Sequence, residues 1–152
     1  MVEQLSTPLD LGILLGLGYQ SFVDELRADL AQRGFDDLGK AYGYVFRALD
    51  AGALNLRQLA RQLDMTDQGA AKIIDEMAAR GYVERRPDPA DGRSKTLVLA
   101  RRGRAALAAA RRFHAAYERR LIRRSNPTDV ATLRRILSLI AHSPDEARLR
   151  AF

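Results

Sequence analysis

Hydrophobic positions recur at helical spacing along most of this chain, and one short region alternates instead. Between Leu56 and Met77, two apolar stripes with three- and four-residue spacing predict two short helices. Between Tyr82 and Leu99, two five-residue runs that can form strands flank a turn rich in Pro, Asp and Gly, which is typical of a β-hairpin. Longer helical patterns lie before and after. The chain is therefore predicted to be mainly α with a small β-hairpin.

The two short helices carry start and stop signals. Asn55 is a favoured N-cap, and Gln58 three residues later is its capping-box partner. Thr66 is the next N-cap candidate, and Gly81 supplies the stop because a left-handed backbone favours glycine. The positions expected to face inward are Leu56, Leu59, Ala60 and Leu63 in the first helix, and Ala70, Ile73, Ile74 and Met77 in the second.

The N-terminal turns of the second helix offer groups that can read DNA. Gln68 can pair bidentately with adenine, and Lys72 can reach guanine or a phosphate. Recognition helices dock in the major groove by their N-terminal residues, so Asp75 and Glu76 one turn later need not oppose binding. By themselves, two short helices joined by a turn fit a solvated surface equally well.

The hairpin favours DNA binding. Its predicted strands are residues 82–86 and 95–99, and Arg93 lies at the tip of the turn, where an arginine fits the narrow minor groove of A·T-rich DNA. Asp91 is expected to accept a hydrogen bond that directs the Arg93 guanidinium. The basic residues of the hairpin are Arg85, Arg86, Arg93 and Lys95. Two capped helices followed by a basic hairpin predict a winged helix-turn-helix.

This region resembles the winged-helix core of the MarR family of bacterial transcriptional regulators. The resemblance lies in Leu59-Ala60-x-x-Leu63, the Thr66 cap, Gly81 to Arg93, and Leu97-x-Leu99 followed by Gly103. It implies a homodimer that binds a pseudo-palindromic operator on double-stranded DNA, often released by a small lipophilic or phenolic effector. Lys72 and Arg93 match positions of DNA-contacting arginines. Ala71 and Ala100 depart from the pattern, standing where Ser or Thr, and a capping Thr, are usual.

The second short helix and the hairpin together contain nine candidate DNA-binding residues. They are Thr66, Gln68, Gly69, Ala71, Lys72, Arg85, Asp91, Arg93 and Lys95.

Long helices are predicted on both sides of this core. The first runs from Pro8 to about Arg33 and has a broad apolar face; its glycines Gly12, Gly16 and Gly18 suggest that another backbone or a ligand comes close. Asp36 or Asp37 is expected to cap the next helix, which Gly52 ends. Its inward positions are Leu38, Tyr42, Val45, Phe46 and Leu49.

After the hairpin, residues 101–124 predict a long helix, and Asn126-Pro127 begins a last one. The seam of the long helix comprises Gly103, Leu107, Ala110, His114, Tyr117 and Leu121, and that of the last helix Val130, Leu133, Leu137 and Ile140. We expect residues 1–35 and 105–152 to form dimerisation helices around a DNA-binding domain at residues 36–104. A monomeric intramolecular bundle is the alternative.

Charge supports the DNA-binding interpretation and composition removes several others. The net charge is +6, and it is −4 over residues 1–54, +4 over 55–104 and +6 over 105–152. There is no cysteine, and His114 and His142 have no acidic cluster beside them, so neither a metal site nor a cofactor is expected. No phosphate loop or catalytic triad spacing points to an enzyme. The start Met1-Val2-Glu3-Gln4 lacks a signal-peptide charge pattern, and residues 11–19 are too short to span a membrane, which predicts a cytoplasmic protein.

A ligand pocket and two further function classes remain open. Residues that can line an apolar pocket with polar tips are Tyr19, Phe22, Tyr42, Phe46, His114 and Tyr117, although aromatics at helical spacing are often plain core. The basic surface also fits a non-specific nucleoid-type or RNA-binding protein, and winged helices also serve as protein–protein modules. A repressor relieved by a small molecule is the reading that the resemblance favours.

Overall fold

A computed structural model describes residues 8–141, so the predictions on Met1 to Gln4 and on His142 lie outside the described residues. The described elements are α1 (Leu11–Gln32), α2 (Tyr42–Asp50), α3 (Leu56–Gln62), α4 (Asp67–Ala79), β1 (Val83–Pro87), β2 (Lys95–Leu99), α5 (Arg101–Arg124) and α6 (Pro127–Ile140). The chain divides into two compact units, residues 1–36 and 37–152. Hence α1 belongs to the first unit and every other element to the second. The predicted fold class, mainly α with one hairpin, is confirmed.

Helix α1 begins at Leu11, three residues after the predicted start at Pro8. A Cβ added at Gly12, Gly16 or Gly18 would meet nothing within 4 Å, and the approach of a ligand or of another backbone to these glycines stays a prediction. The N-terminal half of the helix and the residue pair before it leave large apolar side chains exposed. They are Leu9, Leu11, Ile13, Leu14, Leu15, Leu17 and Tyr19.

Helix α2 starts later than predicted. Its N-cap is Ala41, which makes no side-chain capping bond, so the prediction of an Asp36 or Asp37 cap is wrong. The Asp37 carboxylate instead accepts hydrogen bonds from the Tyr82 hydroxyl and the Arg102 guanidinium, and is not available to a helix start. Of the inward positions, Leu38 is only half-buried. The others, Tyr42, Val45, Phe46 and Leu49, are buried as predicted.

Both caps of the helix-turn-helix are confirmed. Asn55 Oδ1 accepts from the Gln58 amide at 2.8 Å, and Gln58 Oε1 accepts from the Asn55 amide at 2.9 Å, which is a complete capping box. Thr66 Oγ1 accepts from the Gly69 amide at 3.0 Å at the start of α4. Leu56 and Ile73 are half-buried, while the remaining predicted inward positions are buried.

The hairpin pairs β1 and β2 antiparallel, with Val83 opposite Leu99 and Pro87 opposite Lys95. Tyr82, predicted to open the first strand, precedes it and is completely buried. On the other edge of β2, Leu54 forms an isolated bridge to Leu97. Gly81 has φ +77°, the left-handed conformation predicted for the residue that ends α4.

Helix α5 has the predicted bounds, although Ala100 provides no side-chain cap. Its start lies against the base of the hairpin, since a Cβ on Gly103 would be 2.1 Å from the Tyr82 carbonyl oxygen. Asn126 caps α6 by accepting from the Asp129 amide at 2.9 Å. Val130 is buried, whereas Leu133, Ile136, Leu137, Leu139 and Ile140 are exposed. The predicted boundary between the DNA-binding domain and the C-terminal dimerisation helices, at residue 104, lies inside α5. The division into a DNA-binding domain and two dimerisation segments therefore stays a prediction.

Candidate nucleic-acid interface

Helix α4 presents the predicted reading residues at its N-terminal end. The Thr66 cap fixes the first turn, and a Cβ on Gly69 would lie 3.1 Å from Thr66 Oγ1, so glycine leaves this cap uncrowded. Gln68 and Lys72 are exposed and lie four residues apart, on one face of the helix. Ala71 is half-buried beside them. On this face of α4, the Gln68 amide and the Lys72 ammonium group project beside the small residues Gly69 and Ala71.

One predicted DNA contact is already engaged within the protein. The Arg85 guanidinium, on β1, forms an ion pair with the carboxylate of Asp75, on α4. Both side chains remain partly exposed, at 38% and 70%. The pair joins the base of the hairpin to the recognition helix and neutralises part of the charge that Arg85 would offer to a phosphate.

The tip of the hairpin is held by its own hydrogen bonds. Asp91 Oδ1 accepts from the Arg93 backbone amide at 3.0 Å, and its Oδ2 accepts from the Ser94 hydroxyl at 3.1 Å. The Asp88 amide donates to the Ser94 carbonyl at 3.0 Å, closing the loop. The prediction that Asp91 directs the Arg93 guanidinium is thus wrong: Asp91 fixes the backbone from which Arg93 projects.

The cations at the two ends of this surface are not compensated. Within residues 8–141, no acceptor forms a hydrogen bond or ion pair with the side chains of Lys72, Arg93 or Lys95, and all three are exposed. Arg86, by contrast, is paired with Glu84 at 2.9 Å. Free cations therefore lie on the helix face and along the hairpin, where a polyanion can approach both.

A cluster that sequence reasoning missed joins the recognition helix to the long helix. Arg102 donates to Asp37 from both terminal nitrogens, at 3.1 Å each, and to the Arg80 carbonyl at 2.6 Å. Arg80 donates to the Asp37 carbonyl at 2.6 Å and to the Tyr42 hydroxyl at 2.9 Å. The Arg102 guanidinium lies 4.3 Å from the centre of the Tyr82 ring. These five residues are separated by up to 65 positions in sequence, so no local pattern announces them.

The pKa of Asp37 reports the balance of forces in this cluster. Burial by itself raises the pKa of this carboxyl, but hydrogen bonds from Tyr82 and Arg102 and the charge of Arg102 outweigh it, so the pKa lies below its ordinary value. Burial raises the pKa of the Tyr42 hydroxyl. With its pKa lowered, the Asp37 carboxyl is ionised at neutral pH and faces the Arg102 guanidinium.

The residues proposed to line a ligand pocket occupy different environments. In α1, Tyr19 is exposed and Phe22 half-buried. Tyr42 and Phe46 are buried, with ring centres 5.8 and 5.6 Å from that of Tyr82. In α5, His114 and Tyr117 are half-buried, and each contacts the Phe113 ring. A common pocket lined by these residues stays a prediction.

Two searches of the described residues bear on other kinds of site. No cluster of three or more His, Asp or Glu side chains in residues 8–141 is arranged to hold a metal ion. Over the same residues, no helix combines the length and the apolar character needed to cross a membrane.

Comparisons with known proteins identify the same core. A sequence model of the MarR family matches residues 36–94, from the start of the second unit to the tip of the hairpin. The exopolysaccharide II synthesis transcriptional activator ExpG of Rhizobium meliloti (strain 1021) is 27% identical over 139 residues, covering 88% of this chain and 72% of that protein.

Solved structures share the fold. RV1404 from Mycobacterium tuberculosis superimposes with a TM-score of 0.73 at 18% identity, over 93% of this chain and 99% of that one. FabT from Streptococcus pneumoniae, solved in complex with DNA, gives 0.69 at 21% identity, over 85% and 90%. A mutant MarR from E. coli complexed with operator DNA gives 0.65 at 23% identity, over 86% and 92%.

Proposed function

Since residues 36–94 match a sequence model of the MarR family, we propose that this protein is a MarR-family, sequence-specific transcriptional regulator that binds double-stranded DNA as a homodimer in the cytoplasm. The observation that carries the proposal is the pair of uncompensated cations on a preformed frame. Lys72 projects from a capped helix, and Arg93 projects from a loop tip whose backbone Asp91 fixes. A frame that is ordered before binding loses little conformational entropy on docking.

In the proposed complex, the N-terminal turns of α4 enter a major groove and the hairpin tip enters the adjoining minor groove. Gln68 reads base edges, Lys72 contacts guanine or a phosphate, and Arg93 follows the narrow groove. Thr66, Gly69 and Ala71 shape the helix start, and Lys95 adds charge beside the backbone. Two such heads in a dimer would read two half-sites about one helical turn, roughly 34 Å, apart.

Selection from a random-sequence duplex pool tests the proposal. We expect enrichment of a dyad-symmetric sequence. Arg93→Ala and Lys72→Ala should each weaken binding to the selected duplex and lower the slope of log K against log salt by about 1. Arg27→Ala, which removes an exposed arginine of α1, is the matched control and should change neither quantity. Gln68→Ala should alter the preferred bases instead.

Each alternative class has its own result in this experiment. A nucleoid-type protein would bind every duplex alike and enrich no sequence, and an RNA-binding protein would prefer an RNA pool. A protein–protein module would show no salt-dependent nucleic-acid binding. Any of these results would overturn the proposal.

Regulation by a small molecule is the finer part of the proposal. We propose that a dimer bound at an operator that overlaps a promoter represses transcription. A lipophilic or phenolic ligand would then change the spacing of the two DNA-binding domains and release the DNA. The relative from Rhizobium meliloti is named as an activator, so the direction of control needs its own test. Titrating the protein on its selected duplex with simple phenols should weaken binding, and His114→Ala should reduce the effect. Unchanged affinity throughout would indicate a constitutive binder.

A further inference from the structure

The strongest excess of positive charge lies outside the recognition helix and the hairpin. Residues 105–141 hold eight arginines against two acidic residues, Glu118 and Asp129, and no lysine. Glu118 is already paired with Arg134, and Asp129 is bonded to Asn126 at the start of α6. Neither carboxylate is therefore available to compensate the remaining arginines of α5.

Three of these arginines form a line on one side of α5, which we call the arginine ridge: Arg112, Arg119 and Arg123. Their spacings of seven and four residues place them within about 40° of one another around the helix axis, on a line about 16 Å long. All three are exposed, whereas the buried residues of α5 are Gly103, Ala106, Leu107, Ala109 and Phe113. Within the described residues, no acidic side chain forms an ion pair with any member of the ridge.

The ridge is costly to the helix that carries it. Like charges four residues apart destabilise a helix, and Arg119 and Arg123 form such a pair. The preceding stretch of the same helix, residues 105–110, consists of five alanines and one leucine. These neutral residues have high helix propensity and avoid the repulsion that the ridge introduces. Solubility alone does not require aligned arginines, because mixed charges serve that purpose with less repulsion.

The chemistry and position of the ridge indicate a phosphate backbone distinct from the one at the recognition helix. Arginine presents a planar fork that matches phosphate oxygens and can bind them through two hydrogen bonds at once. Gly103 lies against the base of the hairpin, and Arg123 is 20 residues further along α5, about 30 Å away along its axis. The far end of this helix therefore lies well away from the surface formed by α4 and the hairpin.

We propose that the arginine ridge binds a second segment of double-stranded DNA through its phosphates, without sequence preference, so that one protein molecule can hold two segments. The first segment is the one that the proposed function assigns to α4 and the hairpin. Binding of the second segment by the ridge does not depend on α4 or the hairpin. For a chromosomal protein, such a contact would fold flanking DNA back onto the bound complex.

A two-by-two set of variants tests the ridge separately from the reading head. The ridge variant carries Arg112→Gln, Arg119→Gln and Arg123→Gln, and the head variant carries Lys72→Ala and Arg93→Ala. The control carries Arg33→Gln, Arg111→Gln and Arg134→Gln, an equal charge change at arginines paired with Asp29, Asp50 and Glu118. The probe is a labelled 30-base-pair duplex of mixed sequence, titrated between 50 and 300 mM KCl, with circular dichroism to verify folding.

The ridge substitutions should lower affinity for this duplex about tenfold and reduce the salt slope by about 3, as for three lost phosphate contacts. They should do so equally in the head variant, and the control should behave as the parent protein. Two duplexes with different labels should also co-migrate in one complex with the parent protein, and not with the ridge variant.

The outcomes are distinguishable. If the ridge variant binds the duplex as the control does, or if the parent protein binds polyglutamate but no second duplex, the ridge proposal is wrong, and the latter result would identify an acidic protein surface as its partner. If the ridge effect persists while the head substitutions change nothing, the proposed reading head fails and the ridge stands.

Discussion

Gly103 shows how a single residue sets the geometry between two elements. The Tyr82 carbonyl accepts a hydrogen bond from the Ala100 amide at 3.0 Å, which brings the first turn of α5 directly over the base of the hairpin. The atom that any other side chain would add at position 103 would lie 2.1 Å from that carbonyl oxygen. Here glycine is required for close approach, not for an unusual backbone angle.

Gly103→Ala should destabilise the protein by about 1–3 kcal/mol, the range for forcing extra atoms into a packed site. Urea unfolding followed by circular dichroism measures the change. Gly43→Ala is the matched control: a Cβ at Gly43 in α2 meets nothing within 4 Å, so it should stabilise by about 0.5–1 kcal/mol through helix propensity. Equal stability of the two variants would contradict the proposed role of the contact.

His114 should make the stability of the fold depend on pH. Burial, and then the positive charge of Arg47, lower the pKa of this imidazole below its ordinary value. Between the folded and unfolded pKa values the unfolded chain binds more protons, so stability is complete above the unfolded value, about 6.5, and falls as pH drops towards the folded one.

Thermal unfolding at pH 7.5 and pH 5.5 tests this dependence. The parent protein should melt at a lower temperature at pH 5.5, and His114→Gln should reduce the difference. Arg47→Gln should also reduce it, because removing the neighbouring charge lets the pKa of His114 rise. An undiminished difference in His114→Gln would assign the dependence to other groups.

At the scale of elements, residues that act locally predict where helices begin and end. Contacts between residues distant in sequence leave no local pattern and are not predicted. Asn55, Thr66, Gly81 and Asn126 act within a few residues of where they stand, and each ends or begins an element as predicted. The cap predicted at Asp36 or Asp37 does not form, and the Asp37 carboxylate is bound by Tyr82 and Arg102, 45 and 65 residues away. An Asp before a helical pattern looks the same whether it caps that helix or pairs with a distant arginine.

The candidate DNA-binding residues divide in the same way. That Gln68 and Lys72 share an exposed face follows from the helical period alone. That Arg85 is paired with Asp75, and that Asp91 bonds a backbone amide rather than a guanidinium, depends on how the hairpin packs and turns. The sequence predicts which elements carry these cations, but it does not show which of them are paired within the protein.

The Asp37 cluster should stabilise the joint between α4 and α5. Asp37→Asn removes the charge that Arg102 faces, and Tyr82→Phe removes one hydrogen bond to the same carboxylate. In a double-mutant cycle the two losses should be non-additive, with a coupling of about 0.5–3 kcal/mol in unfolding free energy. Asp36→Asn, at the exposed neighbouring position, should be close to neutral. Strictly additive effects would show that the contacts are independent.

The same cluster predicts a pH effect at the acid end. Because the folded pKa of Asp37 lies below its unfolded value, its contribution is present above the unfolded value, about 3.9, and is lost as pH falls through the folded one. The stability difference between parent protein and Asp37→Asn should therefore shrink as pH falls below about 4.

At the scale of the whole molecule, exposed apolar surface supports the proposed homodimer. Helices α1 and α6 each leave a row of large aliphatic side chains exposed to solvent. Single exposed apolar residues are normal, but a contiguous exposed apolar surface is typical of an interaction site. On α6, Leu133, Leu137 and Ile140 share one side. Both helices belong to the parts predicted to pair two copies, and a second copy of the chain would cover them.

Leu137→Glu should convert the dimer to monomer by placing a charge in the apolar contact. Sedimentation velocity at micromolar concentration measures the state directly. Ala131→Glu puts the same charge on the opposite, exposed side of α6 and should leave the sedimentation coefficient unchanged. If both variants, or neither, dissociate, the α6 face is not the contact.

The two-stranded hairpin has a consequence for how the protein behaves at high concentration. Any small sheet ends in unsatisfied main-chain groups that can recruit a strand from a neighbouring molecule and seed fibres. Here Leu54 occupies one border by bridging to Leu97, while the other border is short, carries Glu84, Arg85 and Arg86 in succession, and finishes at Pro87, which has no amide hydrogen. The charged side chains of β1 and its terminal proline thus protect a concentrated solution against cross-molecule strand addition.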